Sequence, residues 1–355
     1  MKKIKVLIVD DSAVVRSILK KELGKRPDLD IIDTAPDPYV ARDRILQHEP
    51  DVLILDVEMP RMDGITFLEK LMQSKPMPVV IFSSLTPVGC ETALRAMELG
   101  ALEVIHKPSL DVAEKLNEMM EVLANALRAA YSARHRFKDG YKPLVSAVET
   151  LSPSTAMIKT TDKVFAIGAS TGGTEALRVL LPALPATFPG IVLVQHMPEY
   201  FTKTFADSLS KTCAMEVREA KDNETVRQGL ILVAPGNHHM LLRRSGARYY
   251  VEIKDGPMVF YQRPSVETLF NSVAKYAGSN AVGIILTGMG KDGAGGLKLM
   301  KEAGAFTIAQ DEATCAVYGM PKAAVDAGAV NKVLPLQDIP KELIRQASKD
   351  IHKES

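Results

Sequence analysis

Short apolar segments rich in β-branched residues alternate with amphipathic patterns along the first third of the chain. The predicted strands are Lys5–Val9, Val52–Leu55, Val79–Phe82 and Leu102–Ile105. The predicted helices, whose apolar residues recur at helical spacing, are Ala13–Gly24, Gly64–Gln73, Cys90–Leu99 and a long segment around Val112–Leu127. Strands that alternate with helices pair in parallel, so this region predicts a parallel α/β sheet.

The periodicity disappears between about Arg134 and Asp162, where Gly, Pro, Ser and Thr are frequent. This composition predicts a linker that follows a helical extension of the first domain. We therefore expect a first domain over residues 1–123, a helix extension and linker over 124–161, and a second domain over 162–350.

A second alternating series follows this linker. Its predicted strands are Val164–Ile167, Ile191–Val194, Leu230–Val233, Val282–Leu286 and Phe306–Ala309. Its predicted helices are Thr174–Leu181, Phe201–Leu209, Ser265–Tyr276 and Gly295–Ala303. The segments His239–Arg243 and Tyr249–Ile253 flank the turn sequence RSGA, which predicts an antiparallel hairpin. The expected fold is a doubly wound, mostly parallel α/β sheet with this hairpin added.

The charge and cysteine content exclude several classes of protein. Over 355 residues, 44 Lys and Arg balance 43 Asp and Glu, so the net charge of +1 gives no general attraction to nucleic acid. The three cysteines lack CxxC spacing, which argues against a disulfide framework or a cysteine zinc site. The first apolar run is too short for a signal peptide, and no segment is long enough to span a membrane. These features predict a soluble, cytoplasmic protein without direct membrane insertion.

Five polar residues follow the predicted strands of the first domain: Asp10, Asp11, Asp56, Ser83 and Lys107. Because the carboxyl ends of parallel strands meet at one edge of a sheet, we expect these side chains to converge. Three crowded carboxylates require a cation, and oxygen ligands select a hard ion such as Mg²⁺. The lysine and the hydroxyl are suited to contact an added phosphoryl group. The alternative is that each acid only caps the helix after its strand.

These residues carry a resemblance to the receiver domains of two-component response regulators. The matching motifs are VDD at 9–11, Asp56 followed by MPRMDG at 59–64, Ser83, and KP at 107–108. The resemblance covers about residues 3–123 and implies a flavodoxin-like (βα)5 domain that is phosphorylated on Asp56 by a histidine kinase.

The receiver resemblance also implies a ligand set. Mg²⁺ would be held by Asp11, Asp56 and the backbone carbonyl of Glu58, with Asp10 nearby. Ser83 and Lys107 would contact the phosphate. The sequence departs from the family at Val104, where an aromatic residue often stands three positions before the lysine.

The sequence Gly-Ala-Ser-Thr-Gly at 168–172 places a G-x-S-x-G motif between a predicted strand and a predicted helix. A sharp turn of small residues projects Ser170, and the following helix N-terminus offers N–H groups to a developing oxyanion. The motif therefore predicts a nucleophile. The alternative is a glycine loop that cradles phosphate, although the G-x-G-x-x-G order and the P-loop lysine are missing.

A serine nucleophile needs a base, and His196 ends the predicted strand that follows the Ser170 unit. It can share a sheet edge with Ser170, although a lone histidine there is more often structural. Asp292, in the loop TGMGKDGAGG, is the carboxylate best placed to orient the imidazole, and its alternative role is to cap the next helix. Three other aspartates fit less well, since they lie in a helix or in loops not fed by a core strand: Asp207, Asp222 and Asp255.

Across about residues 162–345 the sequence resembles the catalytic domain of chemotaxis protein-glutamate methylesterases. The matching motifs, in chain order, are GASTGG at 168–173, QHMP at 195–198, APGNHHM at 234–240, RPSVETLF at 263–270, LTGMGKDGA at 286–294 and DEATCAVYGMP at 311–321. The chain order Ser, His, Asp differs from that of α/β-hydrolases, so G-x-S-x-G alone would mislead. With the receiver motifs in front, the whole chain resembles this family.

The second resemblance implies an activity and its catalytic groups. The reaction is hydrolysis of γ-glutamyl methyl esters on methyl-accepting chemotaxis receptors, with deamidation of receptor glutamines, during adaptation in bacterial chemotaxis. Ser170 would be the nucleophile, His196 the base and Asp292 the residue that orients it, and ester hydrolysis would need no cofactor.

Four further residues match family motifs near the implied site. The amide of Met289 is the implied oxyanion donor and Thr171 is a neighbour that could assist, while Arg263 and His239 lie in matching segments. The alternatives are a gap-filling side chain at Met289, a surface salt bridge at Arg263 and a histidine on the face of the hairpin at His239.

Three rival functions are compatible with part of these patterns. One is a response regulator whose second domain only docks a partner, with an inactive catalytic site. Another is a serine esterase or amidase that acts on a small molecule. The weakest is a DNA-binding output domain, because the second half has no basic stripe or recognition-helix pattern.

Overall fold

The computed structural model describes residues 3–59, 63–83, 87–107, 113–137 and 163–349. The chain divides into two compact units, residues 1–143 and residues 144–355, and each contains its own parallel sheet. None of the helices in the described ranges combines the length and the apolar character that crossing a bilayer requires.

The first unit is a five-stranded parallel sheet with connecting helices. Its strands are β1 (Ile4–Val9), β2 (Leu29–Ala35), β3 (Val52–Leu55), β4 (Val79–Ser83) and β5 (Glu103–His106). Its helices are α1 (Ala13–Leu23), α2 (Pro38–His48), α3 (Gly64–Ser74), α4 (Pro87–Glu98) and α5 (Ala113–Ser132). The strand order β2-β1-β3-β4-β5 reverses direction between β1 and β3, where a crevice forms beyond their carboxyl ends. The predicted flavodoxin-like (βα)5 class is confirmed.

Local sequence explains where several of these elements begin. The central strand β3 is apolar and buried throughout, as expected for a parallel strand covered by helices on both faces. Ser12 caps α1 by accepting from the Val15 amide, and Asp63 caps α3 by accepting from the Thr66 amide. These caps fix the first turns of α1 and α3.

The sequence patterns missed β2 and α2. Strand β2 lies at the sheet edge, where the exposed Asp30 and the half-buried Asp33 interrupt the apolar residues, so it lacks a continuous apolar run. Helix α2 does begin with recognisable signals, since Asp37 caps it and Pro38 is its first residue.

The second unit contains a seven-stranded parallel sheet and a three-stranded antiparallel sheet. The parallel strands are β6 (Val164–Ala169), β7 (Ile191–Gln195), β8 (Glu216–Glu219), β10 (Leu230–Val233), β13 (Ala281–Ile285), β14 (Phe306–Gln310) and β15 (Lys332–Leu334), and the antiparallel strands are β9 (Glu224–Thr225), β11 (His239–Ser245) and β12 (Arg248–Lys254). The helices are α6 (Gly173–Leu180), α7 (Phe201–Ser210), α8 (Val266–Tyr276), α9 (Ala294–Glu302), α10 (Met320–Asp326) and α11 (Ile339–Ser348).

The order of the large sheet determines where the site forms. It runs β15-β14-β13-β6-β7-β10-β8, so β6 lies between β13 and β7 with all three strands parallel. The loops that follow these three strands therefore leave the same edge side by side. They carry Ser170 after β6, His196 after β7 and Asp292 after β13.

The structure corrects three details of the prediction. The hairpin is confirmed, but Ser245 pairs with Arg248, so the loop is the two residues Gly246 and Ala247. The helical extension reaches further than the local pattern predicts, because Ala133–Phe137 forms a 3-10 helix directly after α5, within the segment 124–161 predicted as helix extension and linker. The rest of the predicted linker, 138–162, lies outside the described residues. The short or terminal elements β8, β9, β15, α10 and α11 were not predicted.

Candidate functional sites

The first site is an acidic pocket at the carboxyl edge of the first sheet. Asp10, Asp11 and Asp56 each offer an oxygen that lies within 4.8 Å of the others. The Lys107 ammonium lies 2.8 Å from Asp10 Oδ2 and 2.6 Å from Asp56 Oδ2. Asp10 and Asp56 are buried, whereas Asp11 is exposed. The pocket thus presents one solvent-facing and two buried carboxylates to a shared space.

The electrostatics of this pocket centre on Asp56. Burial raises the pKa of Asp56 to about 6, although hydrogen bonding and attraction from Lys107 oppose the rise and the Asp10 charge adds to it. Burial alone would lower the pKa of Lys107, but its bonds to Asp10 and Asp56 raise it. The pocket therefore holds crowded negative charge that a single ammonium only partly neutralises.

Two further observations show that the pocket suits a metal and a phosphoryl group. The Ser83 hydroxyl is buried and has no hydrogen-bond partner among the described residues. Glu58 is held beside Asp56 because its amide donates to Asp56 Oδ1 at 3.0 Å. The residues present fit Mg²⁺, since all donors are oxygens and the carboxylates are already clustered. Helix capping does not explain the acids, since Ser12 and Asp63 cap the helices after β1 and β3.

The second site begins with the turn that presents Ser170. Ser170 follows β6, and its amide donates to the Thr287 carbonyl at 3.0 Å, which fixes the turn against the loop after β13. Gly172 has a φ of 77°, and a Cβ there would lie 2.4 Å from the Ala316 Cβ. Glycine is therefore required for both conformation and space. The turn directs Ser170 towards the end of β7.

His196 connects the serine to the aspartate. Its Nδ1 lies 3.1 Å from Ser170 Oγ, and its Nε2 lies 2.7 Å from Asp292 Oδ2. Because a carboxylate only accepts, Nε2–H donates to Asp292 and Nδ1 is free to accept the serine proton. The two ring nitrogens have exchanged the roles they take in chymotrypsin-type triads. The predicted residues Ser170, His196 and Asp292 thus form one continuous hydrogen-bonded line.

Asp292 is held by the N-terminus of α8. Its Oδ1 accepts from the Ser265 hydroxyl at 2.8 Å and from the Glu267 amide at 2.9 Å, and its Oδ2 accepts from the Val266 amide at 2.8 Å. Burial, which alone would raise the pKa of Asp292, is outweighed by the His196, Glu267 and Ser265 hydrogen bonds, so this pKa lies below its ordinary value. The alternative role, capping of the next helix, is wrong for α9, whose N-cap is Gly293. Asp292 does accept from backbone N–H groups at a helix N-terminus, but these belong to α8.

The loop after β13 also lies against the nucleophile. A Cβ on Gly288 would fall 2.6 Å from the Ser170 Cβ, so the peptide that leads into Met289 runs close beside the serine. Thr171 is buried and its carbonyl accepts from Thr287 Oγ1 at 2.9 Å. Met289 is half-buried. These positions are compatible with the expected oxyanion roles, which stay predictions.

Arg263 and His239 lie outside the hydrogen-bonded line of the triad. Arg263 donates to the Gly256 carbonyl at 2.6 Å and to the Asn237 side chain. His239 donates through Nε2 to the Pro257 carbonyl at 2.9 Å and accepts through Nδ1 from the Ser265 amide at 3.3 Å. Both residues therefore hold the segment that enters α8, whose residues Ser265, Val266 and Glu267 bind Asp292.

Two polar residues that hold the triad, Ser265 and Gln195, were not predicted as site residues from the sequence. Ser265 is fully buried, caps α8 and donates to Asp292. Gln195 is buried, and its Nε2 donates to the carbonyls of Ser170 and His196, both at 3.0 Å. Ser265 precedes a predicted helix and so carries a capping signal, but its contact with Asp292 depends on tertiary packing. Gln195 carries no signal beyond its place next to His196.

Comparisons with known proteins cover both units. A family model described as CheB methylesterase matches residues 165–343, and one described as response regulator receiver domain matches residues 6–121. Protein-glutamate methylesterase/protein-glutamine glutaminase 3 of Geobacter metallireducens is 56% identical over 352 residues, which is 97% of this chain and 99% of that protein. The protein-glutamate methylesterase/protein-glutamine glutaminase 2 of Rhodospirillum rubrum is 55% identical over 361 residues, 98% of this chain and 99% of that protein.

A solved structure agrees with the second unit. The crystal structure of the Thermotoga maritima CheB methylesterase catalytic domain is 39% identical, with a TM-score of 0.52, and covers 53% of this chain and 100% of that one. The relatives match along nearly their whole length, and the CheB methylesterase match includes Ser170, His196 and Asp292. The chain therefore belongs to the CheB methylesterase family and carries an N-terminal response-regulator receiver domain.

Proposed function

We propose that this chain is a phosphorylation-regulated protein-glutamate methylesterase that also deamidates glutamine side chains, acting on chemotaxis receptors in the cytoplasm. The observation that carries the catalytic part is the continuous line of hydrogen bonds from Ser170 through His196 to Asp292. An inactive docking domain would have no reason to keep a buried serine, imidazole and carboxylate in this order.

The geometry supports a two-step acyl transfer. His196 Nδ1 accepts the proton of Ser170 as Ser170 Oγ attacks the ester carbonyl. His196 then delivers that proton to the leaving methoxide oxygen, so methanol departs and an acyl-serine remains. Water then attacks the acyl-serine, again with His196 as base, and leaves a glutamate carboxylate. A glutamine side chain would follow the same path with ammonia as the leaving group.

The surroundings of the imidazole support its role as a base. While His196 holds the serine proton it is an imidazolium, and the adjacent Asp292 carboxylate stabilises that charge. Hydrogen bonds from His196, Glu267 and Ser265 lower the pKa of Asp292 and keep it ionised, and the α8 amides hold it in place, so it does not take the proton itself. The Met289 amide is proposed as the donor to the oxyanion, assisted by Thr171.

The acidic pocket is the proposed site of regulation. Asp11, Asp56 and the Glu58 carbonyl would hold Mg²⁺, which would neutralise the charge of an incoming phosphoryl group. Asp56 is the proposed acceptor, and the unpartnered Ser83 hydroxyl and the Lys107 ammonium would contact the phosphoryl oxygens. A chemotaxis histidine kinase would be the donor.

The activity is tested with receptor-containing membranes whose glutamyl esters carry a labelled methyl group. The wild-type chain, given a small-molecule phosphodonor and Mg²⁺, should release labelled methanol, and Ser170→Ala should release almost none. Hydrolysis of small soluble esters without any release from receptors would favour the rival small-molecule esterase instead.

A further inference from the structure

Two consecutive aromatic residues form the end of a short turn, which we call the aromatic tip (Phe260 and Tyr261). Val259 and Gln262 close the turn by exchanging backbone hydrogen bonds of 3.1 and 2.9 Å. Phe260 has a φ of 52° and Tyr261 a φ of 62°. Left-handed backbone is costly for bulky side chains, which is why Asn and Gly prevail in such two-residue turns. Both residues of the aromatic tip therefore adopt a backbone conformation that bulky side chains disfavour.

The aromatic tip does not recover this cost by packing. Phe260 is 44% exposed and Tyr261 58% exposed, and the neighbouring Met258 is 42% exposed. Single exposed apolar residues are ordinary on protein surfaces, but three within four positions of a strained turn are not. Strain that yields no internal packing indicates a contact made with another molecule.

One contact joins the aromatic tip to the loop that carries Asp292, and two hydrogen bonds hold the segment that leads into the tip. The Lys291 ammonium lies 5.4 Å from the centre of the Phe260 ring, and Lys291 directly precedes Asp292. On the other side of the turn, Arg263 donates to the Gly256 carbonyl, while His239 donates to the Pro257 carbonyl. The aromatic tip is thus adjacent to the loop that carries Asp292, one of the loops that form the rim around the triad.

The recessed triad indicates what approaches this rim. Ser170 is only 5% exposed, so the reacting carbonyl must be inserted from a surface that rests on the surrounding loops. A glutamyl side chain reaches only about 5 Å from its backbone, judged from ordinary bond lengths. A polypeptide that presents its side-chain ester to Ser170 must therefore lie against the rim. A small soluble ester has no such requirement.

We propose that the aromatic tip is the docking element for the protein segment that carries the ester, an inference that rests on the proposed function. An apolar side chain of that segment packs against Phe260 and Tyr261. Lys291 attracts carboxylates beside the ester, such as the glutamates that earlier rounds of hydrolysis leave on the same segment. The aromatic tip thereby selects a protein substrate over a small ester, without taking part in the chemistry.

The test replaces the tip with residues suited to its backbone. The double variant Phe260→Asn with Tyr261→Gly, in the full chain, removes both rings and relieves the left-handed strain, so its thermal stability should equal or exceed that of the wild type. Leu299→Ala is the matched control, because Leu299 is 47% exposed in α9 of the same unit. Each protein is assayed on methylated receptor membranes and on a small soluble ester, with and without phosphodonor.

The double variant should raise KM for receptor membranes at least about tenfold, as expected when anchoring aromatics are lost, and leave small-ester hydrolysis and the control unchanged. An unchanged receptor KM overturns the proposal. Equal losses on both substrates overturn it too, since the aromatic tip would then support the catalytic groups. A faster small-ester rate without phosphodonor would assign the tip to regulation and overturn docking. If the wild type hydrolyses the small ester but not the receptor ester, both the proposed function and the docking proposal are rejected.

Discussion

Replacing Asp292 by asparagine should remove most activity and also destabilise the second unit. Four donors point at the carboxylate, namely His196 Nε2, the Val266 and Glu267 amides and the Ser265 hydroxyl. An asparagine offers one acceptor oxygen and an NH₂ group that only donates. Whichever way the amide turns, its NH₂ faces a backbone N–H of α8 that cannot reverse.

The size of the effect follows from these contacts. One buried N–H left unpaired costs about 1 to 3 kcal/mol, and losing a negative charge at a helix N-terminus costs about 0.5 to 2 kcal/mol. We therefore expect a loss of about 1.5 to 5 kcal/mol in the free energy of unfolding. If the NH₂ faces His196, the ring must protonate Nδ1 and cannot accept from Ser170, so kcat should fall by about 10³ to 10⁴.

Two assays check this prediction against a matched control. Denaturant unfolding measures stability, and methanol release at saturating receptor measures kcat. Asp255→Asn makes the same chemical change at a side chain that is 85% exposed, so it should alter neither quantity. A stable Asp292→Asn variant with kcat within tenfold of the wild type would refute the role given to the α8 N-terminus.

The pH dependence of stability provides a second readout. Because the pKa of Asp292 is lowered below its usual 3.8 in the folded state, the ionised carboxylate stabilises the fold above that pH. This contribution is lost as the pH falls through the lowered pKa. The difference in the free energy of unfolding between the wild type and Asp292→Asn should therefore be largest near neutral pH and decrease in acid. A difference that increased in acid would contradict the lowered pKa of Asp292.

Three other variants give separate tests. Ser170→Ala should keep the wild-type stability but lose at least ~10³ of kcat in the methanol assay, and near wild-type release would remove Ser170 from the mechanism. Ser265→Gly retains most of the N-cap stability of α8 but loses the hydroxyl bonded to Asp292, so kcat should drop about tenfold with little change in KM. A change in KM without a change in kcat would contradict this role. Asp56→Asn should take up no label from a phosphodonor, and label on this variant would show that the acceptor is wrong. Chelation of divalent ions should abolish labelling of the wild type, and label that persists would show that the metal requirement is wrong.

The sequence was sufficient to predict that the functional residues would converge. Asp10, Asp56, Ser170 and His196 each follow an apolar strand, and parallel topology alone brings such positions to one edge. Central strands were easy to recognise because they are apolar on both faces. Edge strands such as β2 were missed because their half-exposed residues mix polar and apolar types.

Contacts between distant segments could not be predicted in the same way. The capping preference of Asp292 was visible, but local sequence pointed to α9, and only tertiary packing shows that α8 supplies the N–H groups. The exchange of roles between the two nitrogens of His196 depends on how the ring is oriented between Ser170 and Asp292. The left-handed turn at Phe260 is contrary to local preference, so no propensity argument would have placed it there.

Hydrolysis of glutamyl methyl esters on receptor proteins by Ser170 is the core of the proposed function. The most direct measurement is mass spectrometry of receptor peptides after reaction in water enriched in heavy oxygen, with phosphodonor present. We expect the wild type to convert methyl-glutamate to glutamate that carries one heavy oxygen, and Ser170→Ala to leave the ester intact. Unchanged receptor peptides with the wild type, or equal conversion by Ser170→Ala, would contradict it.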